Sequence, residues 1–135
     1  MRVLGIDHVA VCAADVSVAA APFLELLGLA AGPREVVEAQ RTEACFVLAG
    51  AAADACVELI APAGNPTLEK FLARRGPGLH HVAFRVDDLA GALRELDERN
   101  VPLIDRVPRP GARGHHVGFI HPSAFHGVLV ELVSA

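Results

Sequence analysis

The period of the hydrophobic positions changes several times along the chain, and each change predicts an element. Residues 3–12 (VLGIDHVAVC) form an apolar, strand-like run interrupted by His8. Asp15 is a candidate N-cap for a helix through AAAPFLELLG, closed by Gly28. Pro22 falls inside that helix, where the missing backbone donor is expected to kink it or delay its start. Thr42–Leu48 and Ala55–Ile60 read as strands joined by the small-residue turn AGAAAD. Asn65-Pro66 supplies a cap and first residue for a short helix, TLEKFLARR, ended by Gly76-Pro77-Gly78. A strand over about 79–86 follows, then Asp87 or Asp88 caps LAGALRELDERN. Its apolar positions 89, 92, 93 and 96 keep helical spacing. A short strand near 101–105, the loop RVPRPGARG, and strands at about 115–120 and 127–133 complete the pattern.

The pattern repeats. Ile6-Asp7-His8-Val9-Ala10-Val11 returns as Leu79-His80-His81-Val82-Ala83-Phe84, and Val57-Glu58-Leu59 returns as Val130-Glu131-Leu132. His8 to His81 and Glu58 to Glu131 are both 73 residues apart, so one duplication relates them. The expected fold is α+β: two tandem β-α-β-β-β modules forming a cupped, eight-stranded mixed sheet around a metal site. Four strands and one helix cannot bury both faces, so two copies must pack together. At 135 residues the chain reads as one domain, with module one at about 3–61, a linker helix at about 65–76 and module two at about 78–134.

A histidine inside a strand core, or a glutamate between Val and Leu, is costly to bury alone. All four together make a plausible site for a divalent cation, since imidazole and carboxylate suit Mn, Fe, Co, Ni or Zn. Four protein ligands leave two octahedral positions for a bidentate substrate or two waters. Composition marks a globular chain: 53% of residues are hydrophobic, and the net charge of −4 argues against a nucleic-acid binder. Lys70 is the sole lysine, and the remaining basic residues are arginines. Cys12, Cys45 and Cys56 lie in apolar runs without disulfide or zinc spacing, and read as small buried hydrophobes. The N-terminus MRVLGIDHVA has no long apolar stretch, so a cytoplasmic location is expected.

IDHVAV, the helix ending LLGL, VELIAP, GLHHVAF and VLVELV resemble the vicinal-oxygen-chelate (glyoxalase/bleomycin resistance/dioxygenase) superfamily. NPTLEKFLARRGPGLHHVAFRVDDL and GFIHPSAFHGVLVELV narrow the resemblance to its methylmalonyl-CoA epimerase family. The resemblance implies metal ligands His8, Glu58, His81 and Glu131 and a divalent ion, cobalt first, with manganese, nickel or zinc as alternatives. It implies an acyl-CoA substrate and a homodimer, with no nucleic-acid or membrane partner. It also implies a catalytic glutamate on the strand before VELIAP, for which Glu43 in TEACFVL is the candidate, aligned by a one-residue shift after Gln40. Ser123 stands where many of these epimerases carry Lys, and His115-His116 where a polar or basic residue is commoner.

On that reading, Glu43 and Glu131 are the catalytic pair that interconverts the C2 stereoisomers of methylmalonyl-CoA or a close 2-alkylmalonyl-CoA. Arg41, Arg74, Arg75, Arg109 and Arg113 are available for CoA phosphates, and His126 is expected to shape the pocket. A glyoxalase-I-like lactoylglutathione lyase would use the same four ligands. A metal-free drug-sequestering module would need none of them. A ring-cleaving dioxygenase would leave open the position that Glu58 fills.

Overall fold

In the computed structural model, which describes residues 1–48, 50–51 and 54–135, the strands and helices alternate as the duplicated pattern requires. They are β1 (Val3–Cys12), α1 (Val16–Leu27), β2 (Ala30–Val37), β3 (Thr42–Leu48) and β4 (Cys56–Pro62). After α2 (Pro66–Arg75) come β5 (Gly78–Val86), α3 (Leu89–Glu98), β6 (Arg109–Pro110), β7 (His116–Ile120) and β8 (Val130–Ser134). Eight strands in mixed parallel and antiparallel pairing, with three α-helices, make the expected α+β fold. Part of the expected turn AGAAAD, at residues 49, 52 and 53, lies outside the described residues.

The chain divides into two compact units, residues 8–80 and residues 1–7 with 81–135. In the first, the strand order is β2-β3-β4-β1, with β1 and β4 parallel and the other pairs antiparallel. In the second it is β5-β8-β7-β6, with β5 and β8 parallel. The first residues of the chain belong to the second unit. The backbone N–H of Arg2 donates to Asp87 Oδ1 at 2.9 Å, and the N-terminal ammonium donates to Glu95 at 3.0 Å.

Each unit has one face covered by its own helix. In the first, Val16 and Ala20 of α1 pack on Cys45, Val47, Leu59 and Ala61. In the second, Leu89, Ala92, Leu93 and Leu96 of α3 pack on Val86, Ile120, Val130 and Leu132. Period-2 alternation sends the intervening residues to the other face. In the second unit that face gathers Ala83, Val117, Phe119 and Val133. It also carries the site residues.

Helix ends follow the sequence chemistry. The Asp15 carboxylate accepts from the N–H groups of Ser17 and Val18, Asn65 from Thr67 and Leu68, and Asp88 from Gly91. Gly28 closes α1 at φ 66°, a left-handed conformation that glycine adopts at little cost. Helix α1 continues through Pro22. The carbonyl that loses its donor there belongs to Val18, a residue on the exposed side of the helix. Strand β2 is the strand of the first β-α-β-β-β module to which the sequence pattern assigned no position. The strand expected near 101–105 is a single bridge, Leu103 to Ile120.

Candidate active site

The duplication is exact at the level of strand register. On β1 and β4, Ala10 lies opposite Glu58; on β5 and β8, Ala83 lies opposite Glu131. His8 and His81 are each two residues earlier, so each points to the same face as its glutamate and sits diagonally across from it. His8 Nε2 lies 3.5 Å from Glu58 Oε1, and His81 Nε2 lies 3.6 Å from Glu131 Oε2. All four side chains are buried.

The sequence reading missed a third member of each set. Phe46 meets His8 edge-on with ring centroids 5.6 Å apart, and Phe119 meets His81 edge-on at 5.2 Å. Phe46 lies opposite Glu58 and Phe119 opposite Glu131. The two phenylalanines are also 73 residues apart, so the duplication contained the signal. Each ring packs edge-on against its imidazole, a geometry favourable to aromatic pairs.

A separation near 3.5 Å is long for a charge-assisted hydrogen bond. It suits two donor atoms of one coordination shell, which lie roughly 3–3.5 Å apart when each is ~2.0–2.2 Å from an ion. Buried Nε2 with carboxylate oxygen is also a donor set that divalent transition metals accept. The residues present in each unit therefore fit such an ion.

Glu43 is placed elsewhere. It alternates with Ala44 and Phe46 and lies opposite Ala61, on the face that α1 covers. Arg34 Nε donates to Glu43 Oε1 at 2.6 Å, and Arg34 Nη1 donates to Ser17 Oγ of α1 at 2.9 Å. The structure thus does not bring Glu43 to the face of His8 and Glu58. The sequence alignment around Gln40 did not fix which face the residue takes, because a one-residue shift exchanges the two.

The second unit carries a cationic layer beside its His–Glu–Phe set. Arg85 lies opposite Val133, Val133 opposite Val117, and Val117 opposite Arg109, one row of the ligand face. Asp7, buried beside His8 in sequence, lies 3.3 Å from Arg85 Nη1 and 3.0 Å from Arg113 Nη2. Arg109 stacks over Phe119 at 5.3 Å and its Nε lies 3.2 Å from Asp105.

Of the other arginines named from sequence, Arg75 stacks on Phe71, and Arg41 and Arg74 are exposed. Burial lowers the pKa of His80, with Glu58 opposing and Arg75 assisting, and its ring meets Phe71 edge-on. Burial pushes the Cys12 thiol up to about 11. Cys12, Cys45 and Cys56 are all buried and form no disulfide, as their apolar surroundings implied.

The remaining histidines have local duties. His115 Nδ1 lies 3.1 Å from the Ser134 carbonyl, and the His116 backbone N–H donates to Ser134 Oγ. His121 caps the turn at Pro122–Phe125 and lies 2.8 Å from Ser123 Oγ. His126 ends that turn at φ 55°.

Residues 7–119 match the glyoxalase/bleomycin resistance protein/dioxygenase superfamily. An uncharacterised Bacillus subtilis (strain 168) protein, YqjC, is 38% identical over 94% of this chain and 89% of its own. The mitochondrial methylmalonyl-CoA epimerase of Bos taurus is 33% identical, over 96% and 74% respectively. Among solved structures, methylmalonyl-CoA epimerase from Mycobacterium tuberculosis superposes with TM-score 0.90 at 34% identity, covering 98% of this chain and 88% of that one. A Streptomyces coelicolor methylmalonyl-CoA epimerase variant in complex with 2-nitronate-propionyl-CoA gives 0.91 at 27% identity, covering 99% of each. The chain belongs to the glyoxalase/bleomycin resistance protein/dioxygenase superfamily and, within it, to the methylmalonyl-CoA epimerase family.

Proposed function

We propose that this protein is a metal-dependent epimerase that interconverts the C2 stereoisomers of methylmalonyl-CoA or a close 2-alkylmalonyl-CoA. The observation that carries the reading is the duplicated His–Glu–Phe set, buried twice in the same register within a chain of the epimerase family. His8, Glu58, His81 and Glu131 would together hold one divalent cation, with cobalt the first candidate. Such an ion, when bound, supplies positive charge to the thioester and carboxylate oxygens of a malonyl thioester and lowers the acidity barrier at C2.

The chain's own groups do the rest. Glu131 is the proton-transfer carboxylate of the second unit, and Phe46 and Phe119 keep the imidazoles oriented and the site dry. The cationic row of Arg85 and Arg109 suits the free carboxylate of the substrate or a phosphate of its CoA arm. The ligand named for the Streptomyces coelicolor relative supports this chemistry, because a nitronate is a planar anion shaped like the enolate that loss of the C2 proton would give. We take the cytoplasmic location from the sequence reading; no helix among the described residues is long and apolar enough to cross a membrane. We take the homodimer from the family resemblance; light scattering in solution checks it.

A direct assay is the racemisation of one enantiomer of methylmalonyl-CoA by purified protein, before and after treatment with EDTA and on re-addition of Co²⁺. Conversion that EDTA abolishes and Co²⁺ restores supports the proposal. Activity on methylglyoxal with glutathione, and none on the CoA ester, would replace it with the lyase reading.

A further inference from the structure

One carboxylate ties together a stack of side chains on the ligand face of the second unit. Asp105 Oδ2 accepts the backbone N–H of Phe119 at 2.8 Å. The Phe119 carbonyl accepts from the N–H groups of Ile104 and Asp105 at 3.0 and 3.1 Å, so both of its backbone groups are pinned to residues 104–105. Arg109 Nε lies 3.2 Å from the same Asp105 oxygen, and its guanidinium stacks over the Phe119 ring at 5.3 Å. That ring meets His81 edge-on. A chain of contacts therefore runs from Asp105 through Arg109 and Phe119 to His81, all within one unit.

The pairing of Asp105 with Arg109 is ionic. Oδ2 is aimed at the Phe119 N–H, and Arg109 Nε is buried without a hydrogen-bond partner among the described residues. The Asp105 side chain is only 15% exposed, so its charge is weakly screened and holds the cation over the ring. The terminal nitrogens of Arg109 form no hydrogen bond among the described residues, and the side chain is 36% exposed. A guanidinium aimed but not consumed in this way presents its fork to an oxyanion. Arg85 and Arg113 are engaged instead, both with the buried Asp7, at 3.3 and 3.0 Å.

We propose that Asp105 is a positioning residue: it holds Arg109 over Phe119 so that the terminal nitrogens of Arg109 receive an oxyanion of the substrate. This narrows the cationic row to Arg109, and it rests on the epimerase reading for the identity of that substrate. The oxyanion is a carboxylate or a phosphate of the acyl-CoA. Asp105→Asn separates the two duties of the side chain. It keeps the size and an acceptor oxygen for the Phe119 N–H, and it removes the charge that holds Arg109.

The test has two readouts. In magnetic resonance spectra of the protein without substrate, the buried Arg109 Nε–H should give a resolved signal, identified by its absence from Arg109→Lys. Asp105→Asn should broaden or remove that signal and leave the Phe119 backbone signal in place; an unchanged Nε–H signal would overturn the proposal. The kinetic readout uses Co²⁺-loaded protein. Arg109→Ala should raise KM for methylmalonyl-CoA by about 10- to 100-fold with little change in kcat. Asp105→Asn should raise it by part of that, and should add nothing in an Arg109→Ala background. A KM unmoved by Arg109→Ala, or an equal Asp105→Asn effect in both backgrounds, would overturn the proposal. Methylmalonyl-pantetheine, which lacks the nucleotide phosphates, tells the two oxyanions apart: the Arg109→Ala effect persists on it for a carboxylate and vanishes for a phosphate. Wild-type protein that leaves methylmalonyl-CoA unconverted would overturn the epimerase reading, while the Nε–H signal still decides whether Asp105 holds Arg109.

Discussion

At the scale of single residues, the duplicated set makes a symmetrical prediction about metal binding. His8→Ala and His81→Ala each remove one buried Nε2 from equivalent strand positions, so elemental analysis should show comparable loss of bound cobalt in both. Full occupancy in either variant would exclude that histidine as a ligand. Cys12 makes a separate prediction about pH. Its folded thiol titrates at about 11, above the ordinary value of 9.0, so the neutral form is favoured in the fold. Stability is therefore complete below about pH 9 and falls as pH rises towards 11, where the unfolded thiol is ionised and the folded one is not. Urea titrations at several pH values should show that loss in wild type and a shallower one in Cys12→Ala.

The four buried polar residues were legible in the sequence because a duplication leaves a fixed offset, and a His or Glu inside an apolar strand stands out. Phe46 and Phe119 were hidden by being apolar residues in apolar strands, although the same offset contains them. The face that Glu43 takes was not legible. It depends on the pairing of β2 with β3, where the register shifts between Ala31 and Arg34. The connecting turn, Glu38–Gln40, ends at Arg41 in a left-handed conformation. A one-residue change in either place would exchange the faces.

At the scale of elements, the two modules pack their helices by exchanging volume. In module one, Cys45 of β3 and Ala20 of α1 belong to one buried cluster. The equivalents 73 residues on are Gly118 and Leu93, and a Cβ on Gly118 would come within 2.8 Å of a Leu93 methyl. A small strand residue thus makes room for a large helix residue in one module, and the sizes are more even in the other. Gly118→Ala should cost about 1–3 kcal/mol by overpacking, read as a lower denaturant midpoint with an unchanged slope. Leu93→Ala in the same chain should remove the overlap and make the two changes non-additive.

The elements themselves were legible where capping and period agreed. Asp15, Asn65 and Asp88 each cap the helix expected after them. Strand β2 was not, since AAGPREVV opens with Ala-Ala-Gly-Pro and its polar residues mask the alternation. The β6 region was also misread: Pro-rich sequence leaves one bridge at Leu103 and a two-residue strand at Arg109–Pro110.

For the whole molecule, metal binding and stability should be linked. If the fold presents the four ligands and the unfolded chain does not, Co²⁺ at about 100 times its dissociation constant adds roughly 2.7 kcal/mol to unfolding. The melting temperature should rise with added Co²⁺ and fall with EDTA. A curve indifferent to both would mean that the four residues form a metal-free polar network.

The measurement that bears most directly on the central claim is hydrogen exchange at C2 of methylmalonyl-CoA in D₂O, followed with protein as purified, after EDTA, and after Co²⁺ is restored. The account predicts enzyme-dependent deuterium incorporation accompanied by loss of optical purity, abolished by EDTA and recovered with Co²⁺. Substrate that keeps its C2 hydrogen and its configuration in the presence of fully metal-loaded protein would contradict it.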